Sequence, residues 1–341
     1  MIKINSLEDL IEITKKAIAI KGSYKFSRSF SVDKLNQIHS ECFELLTDQP
    51  KSLEIQAYLA ELNAHIFKNT DDDQVLENSL DILFLIKESQ LAKSEIKMQL
   101  KIFKVLRTMI KPSKTQKDHF QETLIKEVST FIFSEFHEVR QLLVIYYFDT
   151  NYNSNNNVLT FNDSILNDER FLIRLNEVIV NLILKGPKNY NSIDPQFPII
   201  KYEDILVRFF NQVMNGQLGI ESKLFKVRKR AISLAEKLFE FEYEKLPDMT
   251  KDTDRLYQEY YANIKISIAR FFVKYGQKLS KEIVKILDDN QLTIETINEE
   301  IEIVSFLISN LKKVNDKKYY KVAQKEATNL QELSNKLNSK I

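Results

Sequence analysis

Residues 226–238 read KVRKRAISLAEKL. Four of its first five residues are basic, and the remainder is apolar at helical spacing. At about 100° per residue, Leu224, Val227, Ala231, Leu234, Ala235 and Leu238 fall on one face. Lys226, Arg230 and Lys237 line one flank of that face, and Arg228 lies on the other. The stretch therefore reads as an amphipathic helix with its charge on the wet sides, and the question is whether those charges also grip a partner.

Along the rest of the chain apolar residues recur at three and four nearly everywhere. The first helix spans 7–20, with Ser6 as N-cap and Asp9 three residues on. Ser31 opens a second, which ends before Pro50. Further helices are expected at 52–67, 71–86, 95–110, two within 115–149, then 165–184, 201–215, 220–241, 251–276, 279–289, 293–312 and 316–338. The total is about fourteen. Glycine and proline together number eleven in 341 residues, too few for sheets joined by tight turns. The fold class is all-α. Two irregular stretches, the Asn-rich 149–163 and the Gly/Pro-bearing 185–198, flank a single helix and should emerge at its opposite ends. The chain reads as one array over 1–341, and 149–163 is the place for a subdivision into 1–148 and 164–341.

The segment VRKRAISLAEKL at 227–238 resembles the second helix of a HEAT repeat. A weaker copy, VRQLLVIYYF, stands at 139–148, and Val139 and Val227 are 88 residues apart, twice a period of 44. HEAT and armadillo repeats run at about 40–47 residues. A third echo relates 57–67 to 231–241. The resemblance implies an α-α superhelix, a HEAT/armadillo-like solenoid. It gives structural repeat positions to Val139, Arg140, Val227, Arg228 and Ala231, with Arg228 supporting packing between adjacent repeats.

Composition bounds the rest. With 43% hydrophobic and 28% charged residues, the chain is a folded, soluble protein. Its formal charge is +1, from 49 basic and 48 acidic residues. A protein that wraps duplex nucleic acid carries a much larger positive excess, so nucleic acid is not the expected partner. The one cysteine, Cys42, forbids an internal disulfide and fits a reducing compartment. Residues 1–16 do not form a secretory signal, and no apolar run is long enough for a membrane span. The expected location is cytoplasmic, nuclear or both. The sequon at Asn162 is then expected to stay unmodified.

No motif carries chemistry. His39 and Cys42 share a helical face, but two ligands do not make a zinc site. FHEVRQ at 136–141 starts like a metalloprotease motif and places Gln141 where the second histidine belongs. Asp149, Asn151 and Asn153 have calcium-loop spacing, but Ser154 and Thr160 replace the glycine and the bidentate glutamate. Asp71, Asp72 and Asp73 cap a helix start. No catalytic, metal or cofactor residue is assigned, and no cofactor is expected.

Charge is unevenly spread. Residues 223–237 and 312–325 each carry a local +5, and 288–302 a local −6. The expectation is a non-enzymatic scaffold, adaptor or assembly chaperone that binds other proteins, either an acidic segment or members of a complex. Lys223, Lys226, Lys229, Arg230, Lys317, Lys318 and Lys321 are the candidate contact residues. Alternatives are a nucleic-acid or phosphoinositide binder using 223–230 and 312–325, and a helical enzyme whose site the sequence does not display.

Overall fold

The computed structural model describes residues 4–20, 23–48, 52–70, 73–88, 95–110, 119–150, 166–184, 218–245, 247, 250–288 and 293–341. Among them are thirteen α-helices, one 3-10 turn and no strand. The helices are α1 (Leu7–Ala19), α2 (Ser23–Ser29), α3 (Val32–Asp48), α4 (Leu53–Thr70), α5 (Asp73–Glu88), α6 (Ile96–Met109), α7 (His119–Ser129) and α8 (His137–Thr150). They continue as α9 (Glu169–Leu184), α10 (Phe225–Glu240), α11 (Lys251–Asp288), α12 (Ile294–Lys313) and α13 (Tyr320–Asn338). The 3-10 turn, Thr130–Phe133, lies between α7 and α8. The expected helix at 201–215 and both irregular stretches, apart from Asp149 and Thr150 in α8, lie outside the described residues. The chain divides into two compact units, Met1–Leu143 and Val144–Ile341.

In the first unit α4 is the hub, packing against α1, α2, α3, α5 and α6. Its buried residues, from Ile55 through Leu59, Leu62 and Ala64 to Ile66 and Phe67, occur around most of its circumference, as a helix enclosed on several sides requires. α1 presents the narrower stripe Leu10, Ile13, Thr14 and Ala17. Its start is fixed as the sequence indicates: the Asp9 amide donates to Ser6 Oγ at 3.3 Å, and the Asp9 carboxylate accepts from Ser6 Oγ and from the Asn5 amide. The helix α2 was not expected. Phe26 there is fully buried and stacks on Phe30 at 5.0 Å, so tertiary burial holds a short, serine-rich segment that propensity alone would not.

His65, on α4, introduces a pH dependence. Burial, with Lys68 and Lys101 nearby, pushes its pKa down to about 4. The unfolded chain takes up a proton near pH 6.5, whereas the folded chain does so only near pH 4. Stability is therefore constant above about pH 6.5 and falls as pH drops from 6.5 towards 4, by about 2 kcal/mol after allowance for the ring's partial contact with water. His65→Gln should flatten that limb in urea midpoints measured across the window.

In the second unit, paired residues fix the helix directions. Arg228 meets Glu300, Lys229 meets Glu302, and Glu236 and Glu240 meet Lys313. Both numbers rise together, so α10 and α12 run parallel. Lys226 with Glu169 and Arg230 with Glu177 give the same sense for α9 and α10. On α11 and α13, Gly276 lies against Glu326, Ser280 bonds Glu326, and the Leu287 carbonyl accepts from Lys340, which again is parallel. Phe239 against Phe272 and Phe241 against Tyr261 make α10 and α11 antiparallel. The result is two layers, α9–α10–α12 and α11–α13, each built of parallel helices. Such stacking is compatible with a helical repeat fold.

One element differs from expectation. In place of the two expected helices at 251–276 and 279–289 stands a single 38-residue helix, α11 (Lys251–Asp288). Gly276 does not end a helix. It sits where α13 approaches so closely that a Cβ would lie 2.9 Å from Glu326 Cγ and 3.3 Å from Leu311 Cδ1. The residue is small for packing, and the helix continues through it despite a propensity cost of about 1 kcal/mol.

Candidate interaction surface

The positions singled out by the repeat resemblance set the frame on which the charges sit. Val227 and Ala231 are fully buried, as is Val139 in α8. Arg228 Nη2 donates to Glu300 Oε1 at 2.7 Å, with side-chain exposures of 17% and 8%. The guanidinium thus crosses from α10 to α12, its parallel neighbour. Burial opposes the Arg228 charge, and the Glu300 carboxylate outweighs burial, so the side chain is held charged above its ordinary value. Tyr275 of α11 closes the same pocket of charge; burial first, then Glu300, pushes its phenol up against the opposing effect of Arg228. Arg140 behaves differently. It donates to the Ser134 and Glu135 carbonyls (the latter at 2.9 Å), locking the turn before α8.

The basic run of the opening stretch is paired within the unit. Lys226 Nζ reaches Glu169 at 3.2 Å, Lys229 bonds Glu302, and Arg230 donates through Nε and Nη2 to Glu177 at 3.2 and 2.7 Å. Burial would raise the Glu177 pKa, and hydrogen bonds from Arg230 and Arg174 outweigh it and hold the carboxyl below its ordinary value. The acids come from both sides of α10, Glu169 and Glu177 on α9 and Glu300 and Glu302 on α12. The +5 run at 223–237 is thus matched largely by the acids of 288–302 and of α9. Lys223 is exposed with no ion pair among the described residues.

The second run is arranged otherwise. Lys313 is taken up by Glu236 and Glu240 at 2.6 and 2.5 Å, which raises its pKa. Beyond it, Asp316 turns its carboxylate to the amides of Lys318 and Tyr319, at 2.9 and 3.2 Å, and its carbonyl accepts from the Tyr320 amide. This turn leads into α13, and Lys317, Lys318 and Lys321 are exposed around it. None of the three has an acid partner among the described residues; Lys318 lies over the Tyr319 ring at 5.5 Å. Tyr320 and Val322, 49% and 40% exposed, stand among them. The patch is cationic and partly apolar.

The remaining candidates are described only in part. Cys42 is buried, and burial, then Glu41, pushes its thiol up to about 12, so it is not a thiolate at neutral pH. The side chains of His39 and His119, and residues 71, 72, 151, 153, 154, 160 and 162, lie outside the described residues. His137 opens α8. Among the described residues no group of three or more His, Cys, Asp or Glu could hold a metal ion, and no helix is long and apolar enough to cross a membrane. What sequence reasoning missed is a row of cations on α11, Arg270, Lys274, Lys278, Lys281 and Lys285. Their spacing of four, four, three and four is that of one helix face, but it emerges only when the helix is continuous through Gly276. No protein-family model matches the chain, and neither a curated protein nor a solved structure shows significant similarity to it.

Proposed function

We propose that the chain is a non-enzymatic protein-binding scaffold, adaptor or assembly chaperone of the cytoplasm or nucleus. Its second unit would be a HEAT-like stack that docks partners through the lysine-rich start of α13. The stacking of parallel helices, with Arg228 bridging successive ones, supports the repeat reading. The observation that carries the functional reading is the segregation of charge. The cations at 226–230 are matched by internal acids, whereas Lys317, Lys318 and Lys321 face solvent beside exposed Tyr320 and Val322. Charge left uncompensated at an exposed apolar patch serves encounter and specificity more than folding.

The test is affinity capture from the native cell followed by mass spectrometry, with a K317E/K318E/K321E variant alongside. Exposed charges contribute about 0–1 kcal/mol each, so the melting temperature of the variant should barely move while partner capture is lost. Undiminished capture by the folded variant would remove this patch from the proposal. Retention of the wild type on heparin to high salt would instead favour a phosphate-rich ligand.

A further inference from the structure

We propose that the solvent face of α11, with the adjoining start of α13, is a track for an extended, carboxylate-rich protein segment. The inference deepens the protein-binding reading and rests on it. Arg270, Lys274, Lys281 and Lys285 are exposed, and none has an acid partner among the described residues. They fall within an arc of about 60° and along about 22 Å of helix, at about 100° and 1.5 Å per residue. Lys278, at the edge of the arc, is taken by Glu221 at 2.6 Å, with Glu282 at 3.9 Å. Glu282 is the one acidic residue between 262 and 287. Since α13 runs parallel with Glu326 beside Gly276, its exposed Lys321 and Lys325 stand level with Arg270 and Lys274 and widen the track.

The chemistry favours carboxylates on an extended chain. Cations four residues apart on a helix are about 6 Å apart along its axis, and side chains on one side of an extended strand repeat at about 7 Å, so successive carboxylates can meet successive cations. Lysine predominates over arginine, and ammonium groups act as point charges that take up carboxylates without a fixed bidentate geometry. All six aromatic residues of α11 are buried, so α11 offers no rings on which bases could stack, and the start of α13 adds Tyr320 alone as a largely exposed ring. The exposed large apolar residues of α11, Leu256, Ile266 and Val284, are scattered along it and form no continuous apolar face for a bilayer. The chain as a whole is nearly neutral, so the positive field is local and acts within about one Debye length, roughly 10 Å at 0.1 M salt.

The experiment is fluorescence anisotropy of the full-length protein with a labelled oligoglutamate peptide over a salt series. The wild type should bind at low salt and release as salt rises. K274E/K281E/K285E should weaken binding by about tenfold or more with the helical circular dichroism unchanged, and K274Q/K281Q/K285Q should weaken it less. K226E, on the other layer, should bind as the wild type does. No binding by the wild type, or equal binding by the triple reversal, would overturn the track. So would tighter binding of a single-stranded oligodeoxynucleotide of equal charge, or of phosphatidylserine vesicles, lost with the same lysines. K317E/K318E, which spares the Lys321 shared by both surfaces, is measured in parallel: loss there alone leaves the α13 docking patch standing and eliminates the track, while loss in the α11 variants alone does the reverse.

Discussion

Arg228→Ala is expected to destabilise the Val144–Ile341 unit by about 3–5 kcal/mol, because it leaves the Glu300 carboxylate buried without its cation. Glu300 keeps only 8% of its side chain exposed, so water cannot replace the guanidinium. The stem of Arg228 also packs between α10 and α12, and truncation removes that contact. Yet the pair need not be a net source of stability. Arg228 Nε, Glu300 Oε2 and the Tyr275 hydroxyl are buried with no hydrogen-bond partner among the described residues, and each such orphan costs about 1–3 kcal/mol. An R228M/E300L double variant, which removes both charges and fills their volume, should therefore recover most or all of what R228A loses. Urea titrations of the singles and the double close the cycle. If R228A shifts stability by less than about 1 kcal/mol, the bridge is a surface pair in all but geometry, and its role in holding successive helices in register fails with it.

The contrast between Arg228 and its neighbours shows what a sequence discloses. The apolar face through Val227, Ala231 and Leu238 was legible because helical periodicity is local, and the Ser6–Asp9 cap was legible for the same reason. The repeat resemblance gave Arg228 a packing role, but not its partner, Glu300 on α12. The destinations of Lys226, Lys229 and Arg230 did not follow from anything local. Their acids lie 57, 73 and 53 residues away in sequence, and two oppositely charged runs on a chain do not say whether they meet each other or a partner. The lysines of 317–325 looked the same as those of 226–230 in sequence; only the fold separates those that are spent internally from those that remain.

Gly276→Leu is expected to cost about 3 kcal/mol, at the upper end of overpacking penalties. A glycine between two helical runs reads as a break, and a break there would split the α11 cations into two groups on unrelated faces. The structure makes it a contact point. A Cβ at 276 would come within 2.9 Å of Glu326 Cγ, 3.3 Å of Leu311 Cδ1 and 3.6 Å of Leu330 Cδ1. Glu326 cannot easily yield, because its carboxylate accepts from Ser280 Oγ and from Asn329 Nδ2, the latter at 3.2 Å. Gly276→Ala decides between the two readings with a single methyl. At an open helical position alanine is favoured over glycine by about 1 kcal/mol, and at a linker it would do little harm. Pressed against a pinned glutamate it should instead be neutral or destabilising, since α13 must move out by a few tenths of an ångström or give up its bond to Ser280. A stabilised alanine variant in thermal melts would mean that α11 and α13 stand further apart than described, and Lys321 and Lys325 would then no longer be level with Arg270 and Lys274.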